Sequence, residues 1–513
     1  MNLNYEKNGV YYLQSMPYQS IIPKNPDINS LMEEIKQLYR KEDAEQVQHA
    51  YDFAAKAHDG QKRKSGEPYI THPVAAAILL THMKIDVNII MAALLHDVPE
   101  DTSVTLEEIE LEFGPDIAGM IRGITKLGKL KYRGVERYIE NLWKMFVAMA
   151  EDIRVMIIKF ADRVTNLATL EALPTKKRYR IALESLEIYA PIANRLGIGE
   201  FKSLLEDLAF PYVYPKEFEK TKSVRESLLS EHSEYLNNVM EILRNELKNS
   251  GIKIYDVHGR EKTLYSLYQK IIRKGGWDNV DKVHDVVAVR IIVSDVGDCY
   301  ATLGIIHKLW RPLKGRIKDY ISQPKPNGYK SLHTTVFCIN GKIVEFQIRD
   351  KSMHSEAEYG IAAHWHYDEK GSRIPAKDIF WAKELATIQK NVLEKMSDID
   401  ELKVDFFKNR IFVFTPQGDV IDLPEDATPI DFAYHIHTDI GNHCNGAKIN
   451  DQLVSLDTPL KSGDVIEIIT DKNRKGPSHD WLKTVKTHLA KSRIKTSLKS
   501  EKSRWINMIL PKK

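Results

Sequence analysis

The sequence predicts a multidomain chain in which an all-α region, an α/β region and a small β-rich region follow one another. Residues 31–205 carry apolar residues at helical spacing between Gly and Pro breaks, without the alternation of a strand. Short β-branched runs mixed with helical segments extend over residues 251–371. Residues 405–472 follow a ββαββ order, which is typical of a β-grasp fold.

Individual segments predict the helices. The apolar run over 74–95 is interrupted by His82, Lys84 and Asp86, so it is predicted to form two helices joined by a turn and not a membrane span. Pro99 should stop or kink the helix that precedes it. The segments with helical spacing are 45–58, 73–83, 88–96, 106–113 and 178–194, followed by 264–272 and 298–310 in the α/β region.

Further segments flank these regions. Residues 1–30 hold three prolines and little periodicity, so an extended leader is expected. One or two amphipathic helices are expected in a linker over 206–250, and a charged helical connector over 372–404. Residues 472–513 contain thirteen Lys or Arg and two acids, so 473–513 should form a basic helical tail that is either a solvated face or an RNA-facing surface.

The composition narrows the class of protein. Hydrophobic residues make up 43% and charged residues 28%, as in ordinary folded soluble chains. The net charge of +3 does not by itself indicate a nucleic-acid-binding protein. The three cysteines lack C-x-x-C spacing, which argues against a disulfide framework and a cysteine zinc site. The N-terminus does not have the pattern of a signal peptide, so a cytoplasmic protein without membrane contact is expected.

A first group of chemically suited residues lies in the helical region. Imidazole and carboxylate side chains at His72, His96, Asp97 and Asp162 suit Mn, Fe or Zn, and a bound ion would activate water for hydrolysis. The adjacent acidic pair at 100–101 would either serve that water or cap a helix. The cations at 63–64 would bind phosphate or form an ordinary basic loop.

A second group lies in the α/β region. The segment RPLKGRIKDYISQPKPNGYKSLHTT concentrates cations around Gly and Pro, as a polyphosphate pocket requires. Asp285 begins an apolar strand, and alternation places Glu345, Gln347 and Arg349 on one face of another strand. Glu345 is either a solvent-facing residue or, if it pairs with Asp285 across the sheet, a metal ligand.

These segments resemble the bifunctional RelA/SpoT-type enzymes that make and destroy (p)ppGpp. RKSGEPYITHP, His96-Asp97-x-x-Glu100-Asp101 and Asp162-x-x-x-Asn166 resemble the HD hydrolase domain of that family. GREKTLYSLYQK, HDVVAVRIIV, GRIKDYISQPKPNGYKSLHTTV and VEFQIRDKSMHSEAEYGIAAHW resemble its synthetase domain, which has a fold related to DNA polymerase β. FVFTPQGDVIDLP and LKSGDVIEIIT resemble its TGS domain.

The resemblance implies a role for each matching residue in two reactions. One is hydrolysis of the 3′-pyrophosphate of (p)ppGpp with Mn²⁺; the other transfers pyrophosphate from ATP to the 3′-hydroxyl of GTP or GDP with Mg²⁺. For the hydrolase it implies Mn²⁺ ligands at His72, His96, Asp97 and Asp162, water activation by Glu100 and Asp101, and nucleotide binding by Arg63, Lys64, Asn166 and Thr169. For the synthetase it implies Mg²⁺ ligands at Asp285 and Glu345 with Glu345 also the base, ATP binding by Arg260, Lys262, Ser266, Lys270 and Arg290, and GTP or GDP binding by Lys318, Lys325, Asn327, Tyr329, His333 and Gln347.

The resemblance has departures and limits. Pro99, Thr165 and Ala168 replace the Val, His and Arg usual in the family, which bears on the hydrolytic rate more than on the ability to hydrolyse. The TGS domain and basic tail imply contact with the ribosome or tRNA. The family's zinc-finger-like and ACT-type domains have no counterpart here, as expected of a shortened or naturally short member. The alternative reading is a ribosome- or RNA-binding regulator with only one active catalytic site, or with none.

Overall fold

The computed structural model divides into two compact units, Met1–Gln389 and Lys390–Lys513. It describes residues 26–128, 145, 151–282, 287–325, 327–360, 362, 410–416, 420–461, 464–471, 474, 476–487 and 489–498. The predicted order of an all-α, an α/β and a β-rich region is confirmed. The predicted connector over 372–404 and residues 1–25 of the predicted leader lie outside the described residues. None of the described helices is long and apolar enough to cross a membrane.

The helical region of the first unit is centred on three mutually packed helices. In chain order its helices are α1 (Ile28–Leu38), α2 (Lys41–Ala57), α3 (Thr71–His82), α4 (Val87–Leu95), α5 (Val98–Asp101), α6 (Leu106–Phe113), α7 (Pro115–Gly128), α8 (Arg154–Ala168), α9 (Thr175–Glu184), α10 (Ala190–Arg195) and α11 (Gly199–Val213). Helices α3, α4 and α8 contact one another. Nearly every residue of α3 and α4 is buried, because both are apolar on all faces. Lys84 has a φ of 53° in the turn between them, so the apolar run does form two helices.

Two expected boundaries differ from the structure. Helix α1 begins at Ile28, inside the expected leader, because the Asp27 side chain accepts a hydrogen bond from the Ser30 amide at 2.8 Å and caps the helix. Helix α11 runs through the expected boundary at 205/206, since its apolar residues stay buried on both sides, from Phe201 to Phe210. The linker that follows forms one helix of 35 residues, α12 (Pro215–Asn249).

The α/β region that follows is a mixed sheet with helices. Its elements are β1 (Ile254–Glu261), α13 (Leu264–Arg273), β2 (Val287–Val293), α14 (Val296–Leu309), β3 (Arg311–Pro312), β4 (Lys318–Asp319), β5 (Leu332–Phe337), β6 (Ile343–Asp350) and α15 (Lys351–Tyr359). The strand order is β1-β2-β6-β5-β3, and β4 pairs with β5. Strands β2 and β6 are parallel, and the other pairs are antiparallel.

Register places polar residues of two strands side by side. His333 and Thr335 of β5 lie opposite Gln347 and Glu345 of β6. Phe346, between the last two, belongs to the apolar core, because successive side chains of a strand point to opposite faces. One face of the sheet is therefore available for a polar site.

The helical and α/β regions touch closely within the first unit. A Cβ placed on Gly360, at the end of α15, would overlap the backbone of Gly197, which precedes α11. Both glycines have positive φ, 54° and 75°, so a larger residue would be strained as well as too close. The Asp207 carboxylate of α11 accepts hydrogen bonds from the amides of Leu264 and Tyr265 at 3.0 and 2.9 Å. Helix α11 thereby holds the N-terminus of α13.

The second unit contains two small sheets and short helices. Its elements are β7 (Arg410–Phe414), β8 (Val420–Pro424), α16 (Pro429–Ile436), α17 (Thr438–Asn442), β9 (Cys444–Ile449), β10 (Gln452–Val454), β11 (Ile466–Thr470), α18 (Trp481–Thr484) and a helix over 489–498. Strands β7 and β8 pair antiparallel, the second sheet has the order β10-β9-β11, and a parallel bridge joins Phe414 to Val465.

The first part of the expected basic tail is not a free arm. Trp481, Val485, Ala490 and Ile494 are buried in one apolar cluster with α16. The carboxylate of Asp431, in α16, accepts hydrogen bonds from the amides of the two residues that follow Val485, at 2.8–3.1 Å. Residues 481–494 therefore belong to the fold of the second unit, which a count of charges could not indicate.

Candidate active sites

Three helices bring two histidines and an aspartate together in the helical region. Ligand atoms of His72 (α3), His96 (after α4) and Asp162 (α8) lie within 4.8 Å of one another, and all three residues are buried. Asp97 adjoins them: its Oδ1 is 3.1 Å from His96 Nε2 and its Oδ2 is 3.6 Å from His72 Nε2. The four predicted metal ligands thus occupy one cluster, because the helices that carry them are mutual neighbours.

The donor atoms of this cluster fit a divalent cation. His96 Nδ1 is 2.7 Å from the Ala93 carbonyl, which can only accept, so Nδ1 carries the proton. His96 Nε2 is left buried without a hydrogen-bond partner. A buried imidazole lone pair that faces carboxylates is what a metal ion would satisfy. The buried His-His-Asp group therefore indicates divalent metal use.

Neighbouring cations keep the central carboxylate charged. Burial alone would raise the pKa of Asp162, but Lys159 and the two histidines hold it well below its ordinary value. Lys159 Nζ is 2.6 Å from one carboxylate oxygen, and Asn166 Nδ2 donates to the other at 2.5 Å. Burial lowers the pKa of His72, which favours the neutral, ligating form.

A tyrosine connects the cluster to the acidic pair that follows it. The Tyr69 hydroxyl lies 3.1 Å from Asp97 Oδ2 and 2.5 Å from Asp101 Oδ2. Burial and the charge of Asp97 raise the pKa of Tyr69, so the phenol keeps its proton. Glu100 lies on the exposed side of α5, and partial burial raises its pKa. Sequence reasoning assigned no role to Tyr69, although it stands inside the quoted segment RKSGEPYITHP.

The predicted nucleotide-binding residues of the helical region lie beside this cluster. Arg63 Nη2 donates to Asn166 Oδ1 at 3.0 Å and is 3.4 Å from Thr169 Oγ1. Lys64 is exposed on the same turn. Asn166 also donates to the carboxylate of Asp162, one turn earlier in α8. Asn166 therefore connects Arg63, in the 61–70 loop, to the candidate metal ligands.

The α/β region contributes to a cavity of about 700 Å³. Most of the residues predicted for the second site line it. They are Arg260, Lys262, Ser266, Lys270, Lys318, Lys325, Asn327, Tyr329, His333, Glu345 and Gln347. Arg290 is not among the described residues that line the cavity. Asp285 lies outside the part of the chain that the structure describes.

A continuous chain of polar contacts crosses the floor of the cavity. Arg260 Nη1 donates to Gln347 Oε1 at 3.2 Å, and Gln347 Nε2 donates to Glu345 Oε1 at 3.1 Å. Glu345 Oε1 is 3.3 Å from His333 Nδ1, and His333 Nε2 is 2.8 Å from the Tyr329 hydroxyl. The sheet register creates this chain, because the members on β5 and β6 face each other. These contacts fix the orientation of the Glu345 carboxylate and of the Tyr329 ring.

The cavity is strongly cationic. Desolvation and the charges of Lys318 and Arg260 lower the pKa of Lys325 to about 8. Burial opposes ionisation of Tyr329, but the charge of Arg349 and the contact with His333 lower its pKa to about 8. The Lys325 ammonium lies 4.9 Å from the centre of the Tyr329 ring. This pocket is electrostatically suited to a polyphosphate.

Two findings in and near this cavity could not be expected from the sequence. Arg290 is buried and its Nη1 lies 2.7 Å from Glu358 Oε1, so the predicted stacking on a base together with Arg260 would require it to leave this ion pair. Lys202 and Ser203 of α11 line the cavity although they belong to the helical region. No local pattern signalled them, since they reach the cavity only through packing of α11 against α13 and α15.

Comparison with known families agrees with this division of the chain. An HD domain model matches residues 50–199, a model described as a region found in RelA / SpoT proteins matches 259–372, and a TGS domain model matches 411–470. The expected succession of these three domain types is confirmed.

Curated relatives match most of the chain. It is 46% identical over 482 residues to a guanosine-3′,5′-bis(diphosphate) 3′-pyrophosphohydrolase of Aquifex aeolicus, covering 93% of this chain and 68% of the relative. It is 43% identical over 474 residues to a GTP pyrophosphokinase of Myxococcus xanthus, covering 91% and 62%. It is 43% identical over 476 residues to the bifunctional (p)ppGpp synthase/hydrolase SpoT of Escherichia coli, covering 92% and 67%. The chain thus spans about two thirds of the length of these relatives.

Proposed function

The chain belongs to the RelA/SpoT family, and on this premise we propose that it is a bifunctional alarmone enzyme. It transfers the β,γ-pyrophosphate of ATP to the 3′-oxygen of GTP or GDP, and it hydrolyses the 3′-pyrophosphate of (p)ppGpp. The observation that carries the proposal is the presence of two separate polar sites in one unit: a buried His-His-Asp cluster and a cationic cavity. The domains proposed for them are residues 31–205 and 251–371.

For hydrolysis we assign the metal to His72, His96, Asp97 and Asp162, and we propose Mn²⁺. When bound, the ion supplies a water of lowered pKa. We assign Glu100 as the base that accepts the proton of the attacking water, and partial burial raises its pKa. Asp101 holds that water from the other side, with its own position fixed by Tyr69. Arg63, Lys64, Asn166 and Thr169 bind the nucleotide.

For synthesis we assign Glu345 as the base that takes the proton of the guanosine 3′-hydroxyl. The 3′-oxygen attacks the β-phosphorus of ATP, the bond to the α-phosphate oxygen breaks, and AMP leaves. The support for this role is that Glu345 lies within the polar chain on the cavity floor, where Gln347 and His333 fix its carboxylate. We propose Mg²⁺, held by Glu345 together with Asp285.

The remaining residues of the cavity position the two nucleotides. We assign the ATP phosphates to Lys262, Ser266 and Lys270, and the adenine to Arg260 and Arg290. We assign the guanine to Tyr329, helped by Asn327, His333 and Gln347, and the phosphates of the acceptor to Lys318 and Lys325. Positioning and charge neutralisation account for most of the catalysis, since this transfer asks little covalent help from a protein.

We also propose that residues 405–472, the TGS domain, and the basic tail contact the ribosome or tRNA. The support is the TGS match and the excess of Lys and Arg after residue 472. A cytoplasmic location is proposed because the three cysteines are free and buried, as in proteins of a reducing compartment.

Reciprocal substitutions test the bifunctional proposal. Asp97→Ala should abolish release of pyrophosphate from ppGpp and leave the transfer from ATP within roughly twofold of the parent. Glu345→Ala should slow the transfer from ATP by about 10²–10⁴-fold, as expected for removal of a general base. It should leave the release of pyrophosphate from ppGpp within roughly twofold of the parent. Each variant is the folding control of the other. If both activities are absent from the parent chain, the alternative of a ribosome- or RNA-binding regulator replaces this proposal.

A further inference from the structure

The hydroxyl of Thr165 lies between a candidate metal ligand and the backbone of α8. Its Oγ1 is 3.0 Å from His72 Nδ1 and 2.8 Å from the carbonyl oxygen of Asp162. Thr165 and His72 are only 3% and 4% exposed, so bulk water does not compete for these atoms. Since Thr165 follows Asp162 by three residues on α8, the helix that supplies one candidate ligand also holds another.

The number of available protons decides the direction of these hydrogen bonds. A carbonyl oxygen can only accept, and a threonine hydroxyl has one proton to donate. When Nε2 of His72 is a metal ligand, the one proton of the neutral ring is on Nδ1, so the hydroxyl accepts from His72 and donates to the Asp162 carbonyl. The Nε2 of His72 is hydrogen-bonded to Asp162 Oδ1 at 3.1 Å and lies 3.6 Å from Asp97 Oδ2. A divalent cation bound by Nε2 and these carboxylate oxygens would take the place of that hydrogen bond.

The ring of His96 is also held through its Nδ1, but by a backbone carbonyl. Its Nδ1 lies 2.7 Å from the Ala93 carbonyl, and its Nε2 is buried without a partner. Both imidazoles thus have Nδ1 bound to an acceptor outside the cluster and Nε2 turned toward it. For His96 the acceptor is backbone and cannot be removed by substitution, whereas for His72 it is a side chain.

We propose that Thr165 is a positioning residue for the metal, because it fixes the tautomer and ring orientation that make His72 a ligand. The proposal rests on the proposed hydrolase function and deepens it. Residues that orient metal-bound histidines typically contribute 10–100-fold to metal affinity. The Thr165 hydroxyl thereby contributes to the affinity of this cluster for a divalent cation.

The test is calorimetric titration of the full metal-free chain with Mn²⁺. Thr165→Val, which keeps the shape but lacks the hydroxyl, should bind Mn²⁺ about 10–100-fold more weakly, whereas Thr165→Ser should stay within about threefold of the parent. The matched control is Thr81→Val: Thr81 is also buried and donates to a helix carbonyl, Ala77 O, at 2.9 Å. Thr81→Val should leave Mn²⁺ affinity unchanged. Hydrolysis by Thr165→Val should recover as Mn²⁺ is raised, which a general loss of structure would not allow.

Two results overturn the inference. One is Mn²⁺ affinity of Thr165→Val equal to that of the parent. The other is an equal loss of Mn²⁺ affinity in Thr165→Val and Thr81→Val, which would mean that both substitutions act by reducing stability. Pyrophosphate transfer measured on the same samples shows whether the chain is folded. The variant Asp97→Ala distinguishes failure of the inference about Thr165 from failure of the proposed hydrolase function. If Asp97→Ala also binds Mn²⁺ like the parent, the cluster is not the metal site and the hydrolase assignment falls with the inference.

Discussion

The hydroxyl of Tyr69 lies 2.5 Å from the Asp101 carboxylate. The same hydroxyl is 3.1 Å from Asp97, so one phenol joins a candidate metal ligand to a residue assigned to the attacking water. The ring of Tyr69 is itself fixed by stacking on His58, with ring centres 4.7 Å apart. The phenol keeps the two carboxylates at a defined separation.

Tyr69→Phe should therefore slow hydrolysis by roughly 10-fold or more, since misplacing a catalytic group by a small distance is costly. The measurement is the rate of pyrophosphate release from ppGpp at saturating Mn²⁺. The rate of transfer from ATP should not change, because the second site does not involve this residue. Hydrolysis at the parent rate would mean that the contacts of the hydroxyl have no catalytic consequence.

Synthesis should weaken as the pH rises through about 8. Lys325, whose pKa is lowered to about 8, is charged below that pH and neutral above it. Tyr329, also with a pKa of about 8, becomes negative over the same range, so both changes make the cavity less cationic. The KM for the nucleotides should rise above pH 8 in the parent.

Substitutions at these two residues separate their contributions to the pH dependence. Lys325→Arg keeps its positive charge across this pH range and should reduce the rise in KM. Tyr329→Phe cannot ionise and should remove the part of the rise that comes from the tyrosine. A KM that is constant between pH 7 and 9 in the parent would contradict the account. Other charged or titratable groups also face this pair: Lys318, Arg260, Glu345 and Lys202 face Lys325, and Arg349, His333 and Arg260 face Tyr329.

Lys202 should contribute to synthesis although it lies in the helical region. It lines the cavity from α11 and forms an ion pair of 2.7 Å with Glu206. Lys202→Met should raise the KM for ATP or the guanosine acceptor several-fold, because one cation of a polyphosphate pocket is lost, and hydrolysis should be unaffected. Lys176→Met, at the start of α9, serves as the matched control and should change neither reaction. An unchanged KM in Lys202→Met would show that α11 only supports the cavity wall.

Asp431 should be important for the stability of the second unit. It is fully buried and accepts hydrogen bonds from Thr428, Lys486 and Thr487. Asp431→Ala leaves several buried donors without a partner, so local unfolding should become easier by about 2–3 kcal/mol. Hydrogen exchange of the amides of residues 486–487 measures this directly. Asp480→Ala, at an exposed ion pair, should change exchange by less than about 1 kcal/mol.

The sequence predicted those features that depend on local pattern. Helical spacing and the interruption at Lys84 predicted α3 and α4, and the motif around His96 predicted which side chains would meet. Alternation along β6 predicted that Glu345 and Gln347 share a face. These succeed because periodicity and register act over a few residues.

Other features depend on contacts between distant segments and left no local signal. Tyr69 reaches Asp101 because the 61–70 loop, which precedes α3, lies against α5, and Lys202 reaches the cavity because α11 packs on the α/β region. Burial of Trp481 against α16 is another such feature, which the charge of the tail does not indicate. The acidic partner of Arg290, Glu358, is 68 residues away in the chain.

The most direct test of two activities in one chain is to follow a single labelled pyrophosphate through both reactions. The purified chain is given ATP labelled at the β- and γ-phosphates with GTP and Mg²⁺, and then Mn²⁺ with excess unlabelled ATP. The label should first appear at the guanosine 3′-position and then be released as pyrophosphate with recovery of GTP. Label that never leaves ATP, or that reaches the guanosine nucleotide and is not released, would contradict the presence of two working sites.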